Sequence, residues 1–183
     1  MKCLSWVKVM AAALVGMFLL TGCASNKSPR ASETQIDLVE VVDDAGAALL
    51  NQAKQGLVKQ RTILATSFVN IDNLHQSSTF GRLVGDTIAG DMVGHGYNVV
   101  EVRLRNSLFM QPRLGEFMLS RELRSVGATH DAQAVLVGTY AVGGDYVYVN
   151  ARLVSVMNSQ VLSSHDFRLP LNRDIGKMLK SGR

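Results

Sequence analysis

Cys23 is the residue whose neighbours give it a specific chemistry. It closes the run Leu20-Thr21-Gly22-Cys23, after twelve residues, Val9 to Leu20, that carry no polar side chain. A cysteine presents a nucleophilic sulfur able to form a thioether. The small Thr21 and Gly22 leave the backbone open to a peptidase. The pattern looks like a bacterial lipobox, with acylation on Cys23 and cleavage just before it. Lys2 and Lys8 make a positive n-region, and the apolar run has the length of a secretory signal core. A spanning helix needs about 20 such residues. An uncleaved anchor helix is the alternative. On the lipobox reading, residues 1–22 are a signal peptide and the mature chain begins at an acylated Cys23, palmitate being the type of chain expected. Each buried methylene contributes about 0.8 kcal/mol, and two or more chains anchor stably. Ala24 and Ser25 follow, with no aspartate at the second mature position, so the outer membrane is the expected destination and the domain faces the periplasm.

Other chemistry is sparse. The two cysteines are Cys3 and Cys23. The first is cut away and the second acylated, which leaves no disulfide and no cysteine metal site. Such a chain suits an oxidising compartment. The four histidines, His75, His95, His130 and His165, have neither HxxxH nor HExxH spacing, so no metal is expected. His130-Asp131 and His165-Asp166 are sequence neighbours, an arrangement that rarely makes a catalytic pair. No GxSxG occurs. Gly81, Gly85 and Gly90 follow neither GxGxxG nor a Walker pattern. The expectation is a protein that is not an enzyme and has no cofactor. Removing 22 residues from 183 leaves 161, with 17 Lys and Arg against 15 Asp and Glu, a charge of +2. No basic cluster stands out, so nucleic acid is not an expected partner.

Binding surfaces are the remaining candidates. Tyr146, Tyr148, Asn150 and Arg152 alternate along one apolar-polar stretch, so a strand places them on one face. Such a strip could bind glycan or a partner protein, since Tyr and Arg are enriched where interfaces concentrate energy. A half-exposed sheet face is the alternative. Gly81 and Gly85 lie four apart on a helical pattern, and Gly90 and Gly94 repeat the spacing. In a membrane this would be a dimer face; in a soluble helix, close packing on a neighbour is the alternative. The candidate interaction surface joins the tyrosine strip to this glycine-bearing helix. Arg103 and Arg105 flank a strand end, as anion ligands or as solvated edge residues.

These residues need elements to hold them. Residues 23–35 hold the lipidated cysteine and a polar tether that cannot order itself and reaches about 20 Å. Ile36 to Val58 has helical periodicity, with Asp37 as N-cap and Glu40 at capping-box spacing. Thr62 to Asn70 reads as a buried strand. Ser77 or Ser78 caps a helix from Thr79 to Gly94, with Phe80, Leu83, Val84, Thr87, Ile88 and Met92 as its buried stripe. His95-Gly96 ends it. Tyr97 to Leu104 is a second strand, 105–114 a connection, and Gly115 to Val126 a helix stopped by Gly127. Ala132 to Ala141 is the central strand, Tyr146 to Met157 and Gln160 to Leu169 the last two. The fold class is α/β (α+β). The spacing predicts a single compact domain over 36–170, with a mixed sheet of about five strands and about three helices. It starts with a βαβ-like unit and ends in an antiparallel meander. Residues 171–183 read as a short basic C-terminal tail.

Six segments in order carry a resemblance. They are SFVNID (Ser67–Asp72), FGRLVGDTIAGDM (Phe80–Met92), GYNVVEVRLR (Gly96–Arg105), GEFMLSRE (Gly115–Glu122), AVLVGTY (Ala134–Tyr140) and VNARLVSV (Val149–Val156). Across Ile63 to Leu162 the chain resembles the FlgO family of flagellar outer-membrane lipoproteins. The resemblance implies a structural part in the flagellar basal region and in motility, beside flagellar accessory proteins or copies of itself. It brings no catalytic residues. The domain is also similar to a wider periplasmic class that includes an outer-membrane activator of a peptidoglycan synthase. A tethered regulator of peptidoglycan synthesis, or a periplasmic interaction module, is therefore the alternative. A short tether favours work close to the membrane.

Overall fold

Nine consecutive buried residues, Ala132 to Tyr140, run through the middle of the molecule. Everything else is arranged on the strand they form. The computed structural model describes residues 37–102, 108–110, 117–119 and 121–181. The signal peptide, Cys23, the tether, Leu104, and Arg103 and Arg105 lie outside the described residues. In chain order the elements are α1 (Leu38–Ala53), β1 (Thr62–Thr66), β2 (Val69–Asn70), α2 (Thr79–Gly94), β3 (Asn98–Val102), β4 (Leu108–Met110), β5 (Phe117–Leu119), α3 (Arg121–Thr129), β6 (Ala132–Val142), β7 (Tyr146–Ser155), β8 (Val161–Pro170) and α4 (Arg173–Lys180).

The main sheet has six strands in the order β3-β1-β6-β7-β8, with β2 also paired to β6. β1 is parallel to both β3 and β6, so β1-α2-β3 is the expected crossover unit. β6, β7 and β8 form the expected antiparallel meander. β4 and β5 make a separate two-stranded antiparallel ribbon. Alternation along the strands splits the core in two. Ile63, Leu136, Tyr140, Val149 and Leu153 pack toward Leu49, Phe80 and Ile88 of α1 and α2. Leu64, Val135, Val137 and Val154 face the opposite way, toward Leu119, Leu123 and Val126. α3 thus shields part of the second face.

Caps explain the helix ends. The Asp37 carboxylate accepts from Val39 N at 2.9 Å. Ser78 Oγ, rather than Ser77, accepts from Gly81 N at 3.2 Å. After α2, Gly96 takes φ +84°. Its N–H donates to Val93 O at 2.9 Å, and Tyr97 N–H donates to Met92 O at 3.1 Å. This is the paired closure of a left-handed helix stop.

Several expectations are corrected. α1 ends at Ala53 rather than Val58. The buried Gln133 side chain takes over the following loop: its Oε1 accepts from Val58 N, and its Nε2 donates to Val58 O and Arg61 O. The predicted single strand Thr62–Asn70 is broken, because three residues, Thr66 to Phe68, stand opposite two, Val137 and Gly138. Leu83 lies 37% exposed, while the small Gly81, Gly85 and Ala89 turn inward. The helix expected from Gly115 begins at Arg121, after β5. Gly127 is inside it, since a Cβ there would stand 2.6 Å from Val156 Cγ1. The turn is made instead by Asp131 at φ +47°. β7 stops at Ser155, before Met157. Residues expected as a tail form α4: Asn172 caps it, Ile175 is buried, and Met178 and Leu179 pack beside the core.

One seam between α1 and α2 is polar. Gly46 lets Asp91 come close, since a Cβ at 46 would lie 2.5 Å from Asp91 Oδ2. Oδ2 is buried with no hydrogen-bond partner among the described residues, while Oδ1 lies 3.3 Å from His95 Nδ1. Burial pushes the Asp91 carboxyl above its usual range; His95 opposes this, and Asp43 and Asp44 reinforce it.

Two predictions follow from this packing. Gly138→Ala drives a methyl into the Phe68 ring and should cost about 1–3 kcal/mol in urea denaturation. Gly90→Ala meets open space and should gain up to about 1 kcal/mol of helix propensity; equal effects at the two sites would contradict the packing. Asp91→Asn should raise the melting temperature at pH 7. A raised carboxyl favours folding below its unfolded value of about 3.9, and that contribution is lost as pH rises through the folded value. The gain from Asn should therefore vanish on acidification below that value, which a pH series of thermal melts would show.

Candidate functional site

The outer face of β7 and β8 carries the exposed Tyr148, Asp166 and Arg168 beside the half-buried Tyr146, Asn150 and Arg152. Along β7, Val147, Val149, Ala151 and Leu153 are buried in the helix-side core. Strand alternation then turns Tyr146, Tyr148, Asn150 and Arg152 the other way, as their spacing predicts. In β8 their partners across the ladder are Arg168 opposite Tyr148, Asp166 opposite Asn150, and Ser164 opposite Arg152. The Arg168 guanidinium lies 4.5 Å from the Tyr146 ring centroid, a cation–π stack. The Tyr146 and Tyr148 rings are 6.3 Å apart. Asn150 Nδ2 donates to Asp166 Oδ1.

Tyr148, Asn150, Asp166 and Arg168 line a groove of about 460 Å³, whose other wall is Ile71, Thr139 and Ala141. A smaller crevice of about 30 Å³ continues past Asn150 toward Arg152, Val154 and Val161, with Leu119 beside it. Thr139 and Asn150 belong to both. Asp166 and Arg168 were legible in principle, since a β7–β8 meander in this register must place them opposite the strip. Ile71 reaches the groove because its N–H donates to Tyr140 O at 2.9 Å; no periodicity in the sequence marks it.

The glycine half of the expected surface is not there. Gly81 and Gly85 are buried. A Cβ at 81 would collide with the Phe68 carbonyl, and one at 85 would stand 2.7 Å from Thr66 O. Close packing is the reason for these glycines, and they cannot meet a partner. Gly90 and Gly94 are exposed. The histidines do not converge: His75, His95 and His130 are exposed at separate places, and His165 stacks on Phe167 with centroids 6.2 Å apart. His165 and Asp166, as strand neighbours, point to opposite faces. Among the described residues, no group of three metal-capable side chains occurs, and no helix is long and apolar enough to cross a membrane.

The free edge of β8 is blunted. Leu171 N–H bonds Asp145 O of the neighbouring strand side, so alternate residues from Pro170 back to Ser164 turn their backbone groups outward. Pro170 has no N–H, and Ser164 N–H is taken by Gln52 Oε1 at 3.3 Å. Such an edge discourages strand addition.

Comparison with known proteins gives one family match. The model of the family described as FlgO protein matches residues 43–174. The search of curated proteins found no match. Among solved structures, the chain is similar to the LpoB C-terminal domain from Salmonella enterica, at 14% identity and TM-score 0.45, covering 69% of this chain and 98% of that one. It is similar to the PelC dodecamer from Paraburkholderia phytofirmans, at 17% identity and TM-score 0.38, covering 63% and 74%. It is also similar to lipoprotein GNA1162 from Neisseria meningitidis, at 15% identity and TM-score 0.39, covering 65% and 91%. These three likenesses are too loose to carry a functional argument.

The facing pair at the groove centre supplies a check on the geometry. Asn150→Asp puts two carboxylates directly opposite each other, a like-charge pair that should cost about 0.2–1 kcal/mol at pH 7. The repulsion exists only while both carboxyls are ionised. The penalty should therefore disappear once the pH falls below their unfolded values, in paired urea titrations at pH 7 and in acid. An unchanged stability at pH 7 would mean the two side chains do not meet.

Proposed function

We propose, given that this chain belongs to the FlgO protein family, that it is a lipid-anchored protein of the outer membrane that supports flagellar assembly or motility at the basal region without catalysing a reaction. The observation that carries this reading is the family match over residues 43–174, placed downstream of a lipobox at Cys23. The first half supplies the flagellar context through the family, and the second supplies the anchor.

The domain offers its partners one face. The helix side is closed by α1, α2 and α4, whereas the outer side of β7 and β8 presents Tyr146, Tyr148, Asn150 and Arg152. Flagellar accessory proteins, a second copy, or wall material are the partner classes for this face. A tether that reaches about 20 Å keeps the face near the membrane, which suits a component seated around the rod more than a regulator reaching across the wall.

The test compares a deletion strain, the wild type and a Cys23→Ser strain by cell fractionation, swimming in soft agar and electron microscopy of flagella. The deletion should shrink the swimming ring or disturb the flagella. The serine form should leave the outer-membrane fraction and fail to rescue at normal protein level. Normal motility in the deletion, with new sensitivity to wall-targeting antibiotics, would replace the flagellar reading by regulation of wall synthesis.

A further inference from the structure

The groove within the outer face, unlike the face as a whole, is laid out for a small ligand and not for the centre of a protein interface. Such interfaces place apolar residues at the centre and polar ones at the rim. Along the groove and its crevice together, the middle holds the Asn150–Asp166 amide–carboxylate pair, Thr139 and Arg152, and the apolar groups stand toward the ends, with Arg168 beside Tyr148 at one of them. At one end are Ile71, Ala141 and Tyr148, the tyrosine 49% exposed. At the other are Val154 and Val161. The lining of the larger groove carries one carboxylate, Asp166, and one guanidinium, Arg168, so it is close to neutral. Arg168 is also held against Tyr146. Over the larger groove a polyanion finds no excess of positive charge to bind; the crevice adds Arg152 alone.

A polyhydroxylated ring has matching chemistry. One face of a pyranose is a patch of C–H groups that packs on an exposed aromatic ring such as Tyr148. Its hydroxyls exchange hydrogen bonds with an amide, a hydroxyl and a carboxylate, which together donate and accept. Thr139 and Asn150 sit next to the apolar wall of Ile71 and Ala141, which suits an acetamido group: methyl to the wall, amide to the polar pair. The volume, about 460 Å³, is that of a small-ligand site. From Tyr148 to Arg152 the face runs about 13 Å along β7 at roughly 3.3 Å per residue. The groove and crevice share residues along that line, so a linear oligomer fits better than a single ring.

We infer that the β7–β8 outer face binds an N-acetylated, neutral, linear glycan of the kind that forms the strands of the bacterial cell wall. The inference rests on the lipobox reading for its compartment, since a chain lipidated at Cys23 meets wall glycan in place. It does not rest on the flagellar role.

The test uses the full chain purified in detergent. Its binding to washed wall sacculi is measured by co-sedimentation, and to a fluorescent tetramer of β-1,4-linked N-acetylglucosamine by polarisation. Both should occur, and the unlabelled tetramer should compete for the sacculi. Tyr148→Ala and Asn150→Ala should each weaken binding by about tenfold, the scale of one lost contact at a small site, with unchanged thermal melts. Lys177→Ala on α4 should change nothing. The inference is overturned by no tetramer binding up to about 10 mM, by equal binding of cellotetraose, which lacks the acetamido groups, or by affinities that both face variants leave intact. It is also overturned if the chain self-associates through this face, seen as dimerisation lost in Tyr148→Ala with no glycan bound. Failure here with a motile-defective Cys23→Ser strain would remove the glycan and leave the flagellar reading standing.

Discussion

The position of Phe68 constrains the rest of this domain. Its ring is fully buried and lies where a side chain at Gly138 would be. Its backbone lies against Gly81, and Phe68 N–H donates to Gly81 O at 3.0 Å. Ser77 Oγ closes the other side by donating to the Phe68 carbonyl at 2.9 Å. Two glycines on α2 and one on β6 thus make room for a single aromatic residue in a strand break. The fully buried ring contributes on the order of 2–3 kcal/mol of transfer free energy. The geometric effect is larger: α2 is drawn onto the backbone of the β1–β2 break and cannot lie elsewhere.

That docking decides which face of the sheet is free. With α2 seated, α1 packs beside it and α4 lies along it, tied by Thr79 Oγ1 donating to Ser181 O at 3.0 Å. The helix side is then occupied. On the other side, α3 and Leu119 cover the half of the sheet built from β1, β3 and β6. The β7–β8 half keeps its tyrosines, its amide–carboxylate pair and its stacked arginine in reach of solvent. Strand alternation alone makes this division: odd-numbered β7 residues hold the core, and even-numbered ones from Tyr146 to Arg152 face outward. Blunting of the β8 edge by Pro170 and Gln52 keeps that face from being used for strand pairing.

Most of the scaffold was legible because its signals are local. α2 has the predicted limits, since Ser78 and Gly96 are strong start and stop residues whose effect does not depend on distant contacts. The meander was readable from period-two alternation and short polar turns. The β1–β2 break was not, because it depends on Gly138, seventy residues away from Phe68, lacking a side chain. The spacing of the α2 glycines suits a binding face and a packed one equally, and only the tertiary contact with Thr66 and Phe68 separates the two. α4 was hidden by charge: Arg173, Lys177 and Lys180 suggested a solvated tail, while Ile175, Met178 and Leu179 repeat at helical spacing and find the core. At the site, the β7 strip was readable and its β8 half followed from register, but Ile71 entered through a loop hydrogen bond that no pattern announces.

The central claim is that the two sides of the sheet have different work, the helix side for stability and the β7–β8 outer side for function in the envelope. It is tested most directly by complementing a deletion strain with charge changes placed on each side. Arg152→Glu and Tyr148→Asp alter the outer face, and Asp86→Lys and Lys177→Glu alter exposed positions on α2 and α4. The account predicts that all four proteins reach normal levels in the outer-membrane fraction and that only the outer-face pair loses swimming. Normal swimming in the outer-face pair, or loss confined to the helix-side pair, would contradict it.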